Sequence, residues 1–199
     1  MIKKQKSNTQ NIIIKGLIVL IIAAIILLVI NLVYYGHEEY LRRNHPIRYS
    51  EIVENSATEY NIDKYLIYAI IKTESGFKAE AVSNVGARGL MQIMSDTFDW
   101  LNEHRLLDED LKFDDMFIPE YNIRYGTELI SYHIRHYKNT DNSLAAYHAG
   151  DGAVDKWLKD KRYSEDGKTL KNIPSSATAH YIKKVNKAYE IYTKLYGGE

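Results

Sequence analysis

The 199 residues include no cysteine. That excludes disulfide staples, thiolate nucleophiles and cysteine-ligated metals together, and it fits an exported protein that needs no staples. Proline occurs only three times, in a composition (45% hydrophobic, 26% charged) typical of a globular chain. Net charge is also missing, since 26 basic residues balance 26 acidic ones. The balance is uneven along the chain. Residues 1–35 carry Lys3, Lys4, Lys6 and Lys15 and no acid, which leaves 22 basic against 26 acidic residues beyond them. A body of net −4 lacks the basic patches whose counterion release drives nucleic-acid binding, so no nucleic-acid partner is expected. No phosphate-cradling glycine loop, GxSxG or HExxH stands in the sequence; His37, Glu38, Glu39 and His45 have the wrong spacing for the last. Internal repeats and sustained two-residue alternation are absent as well.

What is present begins with GLIVLIIAAIILLVINLV at residues 16–33, free of charge and with one polar residue, Asn31. As a helix it spans roughly 27 Å, close to the ~30 Å of hydrocarbon in a bilayer. Ile12, Ile13 and Ile14 extend it, and Lys15 has the reach to snorkel. A cleaved signal peptide has a shorter apolar region and a small-residue site, and NLVYYGHEEY offers none. The reading is an uncleaved transmembrane anchor at residues 12–35 behind a cytoplasmic basic tail at 1–11. Lysines on one side place the N-terminus in the cytoplasm and the body outside, although Arg42, Arg43 and Arg48 weaken the bias. Residues 36–48 form a charged connector. Residues 49–199 form one domain.

That domain has the 3.6-residue periodicity of an all-α fold. Ser50 is expected to cap a helix carrying Ile52, Val53, Ala57 and Tyr60, and Asp63 the next, with Leu66, Ile67, Ile70 and Ile71 as its stripe. Pro119 suits the first turn of a long helix reaching about Tyr137. Short helical runs at 144–149 and 153–158 surround Gly150 and Gly152, and a last amphipathic helix covers 178–195. The glycines of SNVGARGL mark a sharply turning loop.

Glu74 breaks the pattern of its helix. It stands three, four and seven residues after Ile71, Ile70 and Ile67, on the apolar stripe, and in the last turn before Ser75-Gly76. Burial and the negative helix end both push a carboxyl's pKa upward, and a carboxyl kept protonated near neutrality serves as a general acid. The alternative is a buried glutamate paired with a cation such as Arg88.

Glu74-Ser75-Gly76-Phe77 is followed by GLMQIM at 89–94, AYHAG at 146–150 and Tyr181 in HYIKKV. In this order the set resembles the soluble-type lytic transglycosylases, and PEYNIRYGTELI at 119–130 is similar to that family's central helix. The resemblance implies an all-α, goose-type lysozyme-like fold acting on peptidoglycan glycan strands. Residue by residue it implies that Glu74 is catalytic and that Ser75 positions substrate or carboxyl. Gly89, Leu90, Met91 and Gln92 would line the sugar cleft and Met94 its wall. Tyr147 would approach the glutamate, and Tyr181 matches the last motif. Each has a plainer alternative: Met91 and Met94 as core, Gly89 as a loop requirement, Tyr147 and Tyr181 as two packing residues among seventeen tyrosines. Two positions depart from the family pattern. His148 stands where asparagine is usual, which affects loop geometry or subsite preference, and Ser95 stands where proline is common, with the capacity to cap the next helix.

Hydrolytic glycosidases use two carboxylates. Glu80, Asp96, Asp99, Glu103, Asp151 and Asp155 lie outside the matched motifs and read as solvated. One carboxylate suffices for the reaction the resemblance implies, in which the muramic acid's own C6 hydroxyl closes onto C1 to give a 1,6-anhydromuramic end. No metal or other cofactor is implied, because His133 and His136 lack a third ligand and read as surface histidines. The alternatives are a muramidase hydrolysing the same bond and a non-catalytic wall-binding component of an envelope assembly. Any partner in envelope machinery is unidentified.

Overall fold

The charge-free run near the N-terminus is one continuous helix in the computed structural model, α1 (Ile2–Asn44). The structure describes residues 2–108 and 110–198, with side chains from residue 15 onward. The side chains of the 1–11 tail and of Ile12, Ile13 and Ile14 therefore lie outside the described residues. The chain divides into two units, Met1–Pro46 and Ile47–Glu199. In the first, the apolar side chains from Leu17 to Val33 are all exposed, a face with no core of its own, and the helix is long and apolar enough to cross a membrane. It continues through most of the charged connector because Glu38–Arg42 and Glu39–Arg43 pair one turn apart at 3.0 and 2.8 Å, the acid preceding the base as a helix prefers.

The second unit is helical, and its described residues hold isolated β-bridges but no strand. Its elements are α2 (Ser50–Tyr60), α3 (Lys64–Glu74), α4 (Ser95–Leu101) running into a π turn, α5 (Pro119–Tyr137), α6 (Thr140–Ala149), α7 (Asp151–Lys159) and α8 (Ser176–Tyr196). Asp63 caps α3 as expected, its carboxylate accepting from the Tyr65 amide at 2.9 Å. Ser50 and Ser95 do not cap. Each is the first helical residue, and the cap positions fall to Tyr49 and Met94 with no side-chain bond.

The stripe on α3 packs against α8, which turns Tyr181, Ile182, Val185, Ala188 and Tyr192 inward at helical spacing. Tyr68 and Tyr192 stack across this contact at 5.4 Å. Pro119 opens α5, which is buried along most of its length between α2 and α6; α6 also packs on α8. Glu128 inside α5 is tolerated because Arg105 and Arg135 both reach it, at 2.7 and 3.0 Å.

Candidate active site

Glu74 is the last residue of α3, where the helix runs out against α8 and the loop that follows. Its side chain is half-buried, and among the described residues no ion pair reaches it. Arg88 is engaged elsewhere: it pairs with Asp114 and lies over the Phe113 ring at 4.1 Å. Burial pushes the Glu74 carboxyl up from 4.5 to about 7, against the lowering effects of the Tyr181 hydroxyl and the Lys184 charge. Tyr181 is 6% exposed, and its buried hydroxyl makes no hydrogen bond among the described residues, although it lies near enough to Glu74 for each to shift the other's pKa. The Tyr147 hydroxyl is buried near the same carboxyl and donates to the Met91 carbonyl at 2.8 Å. Burial, and then the nearby Glu74 charge, raises both phenols well above their usual value, so both stay protonated.

The loop from Ser75 to Met94 is built to hold this arrangement. Ser75 donates to the Leu90 carbonyl at 2.8 Å and lies 3.2 Å from the Ile71 carbonyl, tying the end of α3 to the GLMQ segment. Its hydroxyl is thus committed to backbone rather than to substrate. Arg88 and Ile93 exchange two backbone bonds of 2.9 Å, closing the tight turn between them. Gly89 has φ +78, and a Cβ there would meet the Met116 carbonyl at 2.1 Å and the Asn122 amide at 2.2 Å, so only glycine fits.

Leu90 and Met91 do not present side chains to a cleft; both are completely buried. The apolar packing of the loop consumes them, and Met91 contributes through the carbonyl that receives Tyr147. Both amide protons of Gln92 are likewise taken by loop carbonyls, at 3.2 Å to Ala81 and 2.9 Å to Gly89. Met94 is different. It is 38% exposed and lines a cavity of about 450 Å³ together with Tyr147 and His148. His148 is exposed at the edge of this cavity, its ring 4.7 Å from that of Tyr181 and its Nδ1 3.2 Å from the Thr178 hydroxyl.

Three residues were missed by sequence reasoning. Asn122 on α5 accepts from the Met91 amide at 2.7 Å and donates to the Arg88 and Met116 carbonyls at 2.9 and 2.8 Å, clamping the loop from behind. Its signal was a polar residue beside Ile123 on the face that α5 buries. His133 is not a surface histidine: it is 4% exposed, with Nδ1 2.9 Å from Asp151 Oδ1. Nor is Asp151 merely solvated, since it lines the same cavity as Tyr147. Glu80, Asp96, Asp99 and Glu103 are exposed, as expected.

A family model described as a transglycosylase SLT domain matches residues 51–170. The soluble lytic murein transglycosylase of Escherichia coli K12 is 30% identical over 81% of this chain, which spans 25% of that protein. The membrane-bound lytic murein transglycosylase C of Serratia proteamaculans is 28% identical over 74% of this chain and 47% of its own length. The crystal structure of the 70 kDa soluble lytic transglycosylase from E. coli in complex with bulgecin A superposes with a TM-score of 0.71 at 28% identity, covering 79% of this chain and 26% of that one. An inactive glutamate-to-glutamine mutant of the lytic transglycosylase Slt from Pseudomonas aeruginosa superposes with a TM-score of 0.68 at 28% identity, over 77% and 25% of the two chains. The chain thus spans about a quarter of the length of its soluble relatives.

Proposed function

The chain belongs to the transglycosylase SLT domain family, and from that premise we propose that its helical body is a peptidoglycan lytic transglycosylase in which Glu74 is both acid and base. The observation that carries this reading is a carboxyl at a helix end, half-buried, without an ion-pair partner and held near pKa 7 by desolvation. Such a group is protonated often enough to be an acid and is then basic enough to recover its proton. The inactivity of the glutamate-to-glutamine mutant of the Pseudomonas relative supports the assignment.

Glu74 gives its proton to the oxygen joining N-acetylmuramic acid to N-acetylglucosamine. The bond from C1 to that oxygen breaks, and the substrate's N-acetyl group helps to carry the positive charge at C1. The C6 hydroxyl of the same sugar then forms a bond to C1 and returns its proton to Glu74. The product is a 1,6-anhydromuramic end, with no water consumed. The reaction is intramolecular, so holding C6 near C1 supplies much of the rate. Tyr181 keeps its proton beside the carboxylate that forms midway and stabilises it, while the Tyr147 hydroxyl stays hydrogen-bonded to the Met91 carbonyl.

The exposed apolar helix α1 and the membrane-bound Serratia relative support anchoring in the cell membrane by a single span. The lysines ahead of the span support a cytoplasmic N-terminus and an extracytoplasmic body. Tyr34 and Tyr35, both exposed where the apolar run ends, suit the headgroup layer on the outer side. Peptidoglycan would then lie within reach of the anchored body.

Mass spectrometry of digested peptidoglycan tests the reaction. Anhydro ends are expected from the wild-type chain, and exclusively reducing ends would establish a muramidase instead. Glu74→Gln is expected to slow formation of either product by about 10²- to 10⁴-fold; full wall cleavage by that variant would overturn the assignment.

A further inference from the structure

Tyr181 brings its hydroxyl to Glu74 without a polar contact to hold it. The hydroxyl is buried and makes no hydrogen bond among the described residues, so the orientation of the ring is left to packing. Among those residues one aromatic ring touches it, that of His148, at 4.7 Å and tilted by 35°. His148 stands in the last turn of α6 and Tyr181 on α8, so the contact bridges two helices that pack together beside the site. His148 is tethered in turn. Its Nδ1 lies 3.2 Å from the hydroxyl of Thr178, three residues before Tyr181 and on the same face of α8. Thr178 is 1% exposed, and His148 is the only hydrogen-bond partner of its hydroxyl among the described residues. A buried hydroxyl with nothing to donate to is costly, so Thr178 donates to Nδ1 and the ring carries its proton on Nε2. That form is the neutral one, and burial favours it by lowering the His148 pKa.

The tether and the ring contact serve one end. Thr178 fixes the plane and tautomer of the imidazole, and the imidazole face limits how far the Tyr181 ring can turn away from Glu74. Asparagine, usual at this place in the family, can bond to a threonine but has no ring to lay against a tyrosine. Taking Glu74 as the acid and base of the proposed transglycosylase, we infer that His148 is a positioning residue whose tethered ring holds the Tyr181 hydroxyl beside the Glu74 carboxyl. The other groups that reach Glu74 do not depend on this ring. Lys184 acts from the exposed side of α8, and Tyr147 is fixed by the Met91 carbonyl. Asp96, His133 and Asp151 line the same cavity as His148 and are not among the groups that move the Glu74 pKa.

A titration without substrate isolates the effect. The full-length chain in detergent micelles carries carbon-13 at its glutamate carboxyls, and the Glu74 resonance is the one missing from Glu74→Gln. In wild type it is expected to titrate near pH 7. Tyr181 lowers that value, so His148→Ala, which frees the tyrosine, is expected to raise it by about 0.5 to 1, the equivalent of one ordinary hydrogen bond. Thr178→Val removes only the hydroxyl and is expected to raise it by less. In Tyr181→Phe the titration already lies higher, and adding His148→Ala is expected to leave it there, as for two residues that act through one contact. An unmoved Glu74 titration in His148→Ala or in Thr178→Val would overturn the inference. So would a His148→Ala shift that keeps its full size in the Tyr181→Phe chain, because His148 would then reach Glu74 by another route. Should His148→Ala fail to fold, Thr178→Val, which keeps the shape of the side chain, decides alone. Failure of the transglycosylase reading registers separately, as a wild-type chain that releases no anhydro ends.

Discussion

At Glu74, desolvation raises a pKa that the Tyr181 hydroxyl and the Lys184 charge pull down. With a folded value of about 7 against an ordinary 4.5, the native state binds more protons than the unfolded chain between those pH values. Stability therefore falls as pH rises through this window, and the loss is complete above pH 7. Glu74→Gln relieves it, so the variant's melting temperature should exceed wild type at pH 8 but not at pH 4. The gain is at most about 3.5 kcal/mol, from 1.36 kcal/mol per pKa unit. Catalysis moves the other way, with kcat lowered by about 10²- to 10⁴-fold, the worth of a positioned general acid. Wild-type kcat/KM should fall above about pH 7, where the acid is lost. Tyr181→Phe removes a group that lowers the Glu74 pKa, so that alkaline limb should shift to higher pH in a pH–rate profile. A limb that stays in place would show that Tyr181 does not touch the titration.

Among elements, the segment from Ser75 to Met94 owes its shape to α5. Asn122 accepts from the Met91 amide and donates to the Arg88 carbonyl in that segment and to the Met116 carbonyl beside it. Asn122→Ala is expected to cost about 2–4 kcal/mol in chemical denaturation, since each orphaned buried group costs on the order of 1–3 kcal/mol. Activity should fall as well, because the Met91 carbonyl that anchors Tyr147 lies in the loosened loop. Gly126→Ala strikes the same place from within α5: a Cβ there would meet Met91 Sδ at 2.5 Å. The Met91 Cβ would also lie at 2.7 Å and is fixed to the loop backbone, so the loop must shift and both stability and activity should fall.

For the whole molecule, the testable matter is which side of a membrane each end occupies. The absence of cysteine makes the test clean, since any introduced thiol is the only one. Ser176, exposed at the start of α8, and Ser7, in the basic tail, are suitable positions. With a membrane-impermeant maleimide on intact cells, Ser176→Cys should label and Ser7→Cys should label only after lysis. The reverse pattern would place the body in the cytoplasm, away from peptidoglycan.

The sequence by itself determined the helical fold class, the apolar span and the place of Glu74 on the stripe of its helix, because helical periodicity and a carboxylate on an apolar stripe are local patterns. It also held the ordered motifs that led to the family. It did not show that the Leu90 and Met91 side chains are buried, or that the Ser75 hydroxyl and the Gln92 amide protons bond to backbone carbonyls around the loop. Cleft-lining and loop-holding residues stand side by side in one motif, and only the folded backbone shows which way each faces. Asn122, His133 and Asp151 were beyond sequence reasoning for a related reason. Their partners lie 31 residues away for Asn122 and Met91, and 18 for His133 and Asp151. Such pairings arise from how α5 packs against the loop and against the turn into α7, so the tertiary structure alone decided them.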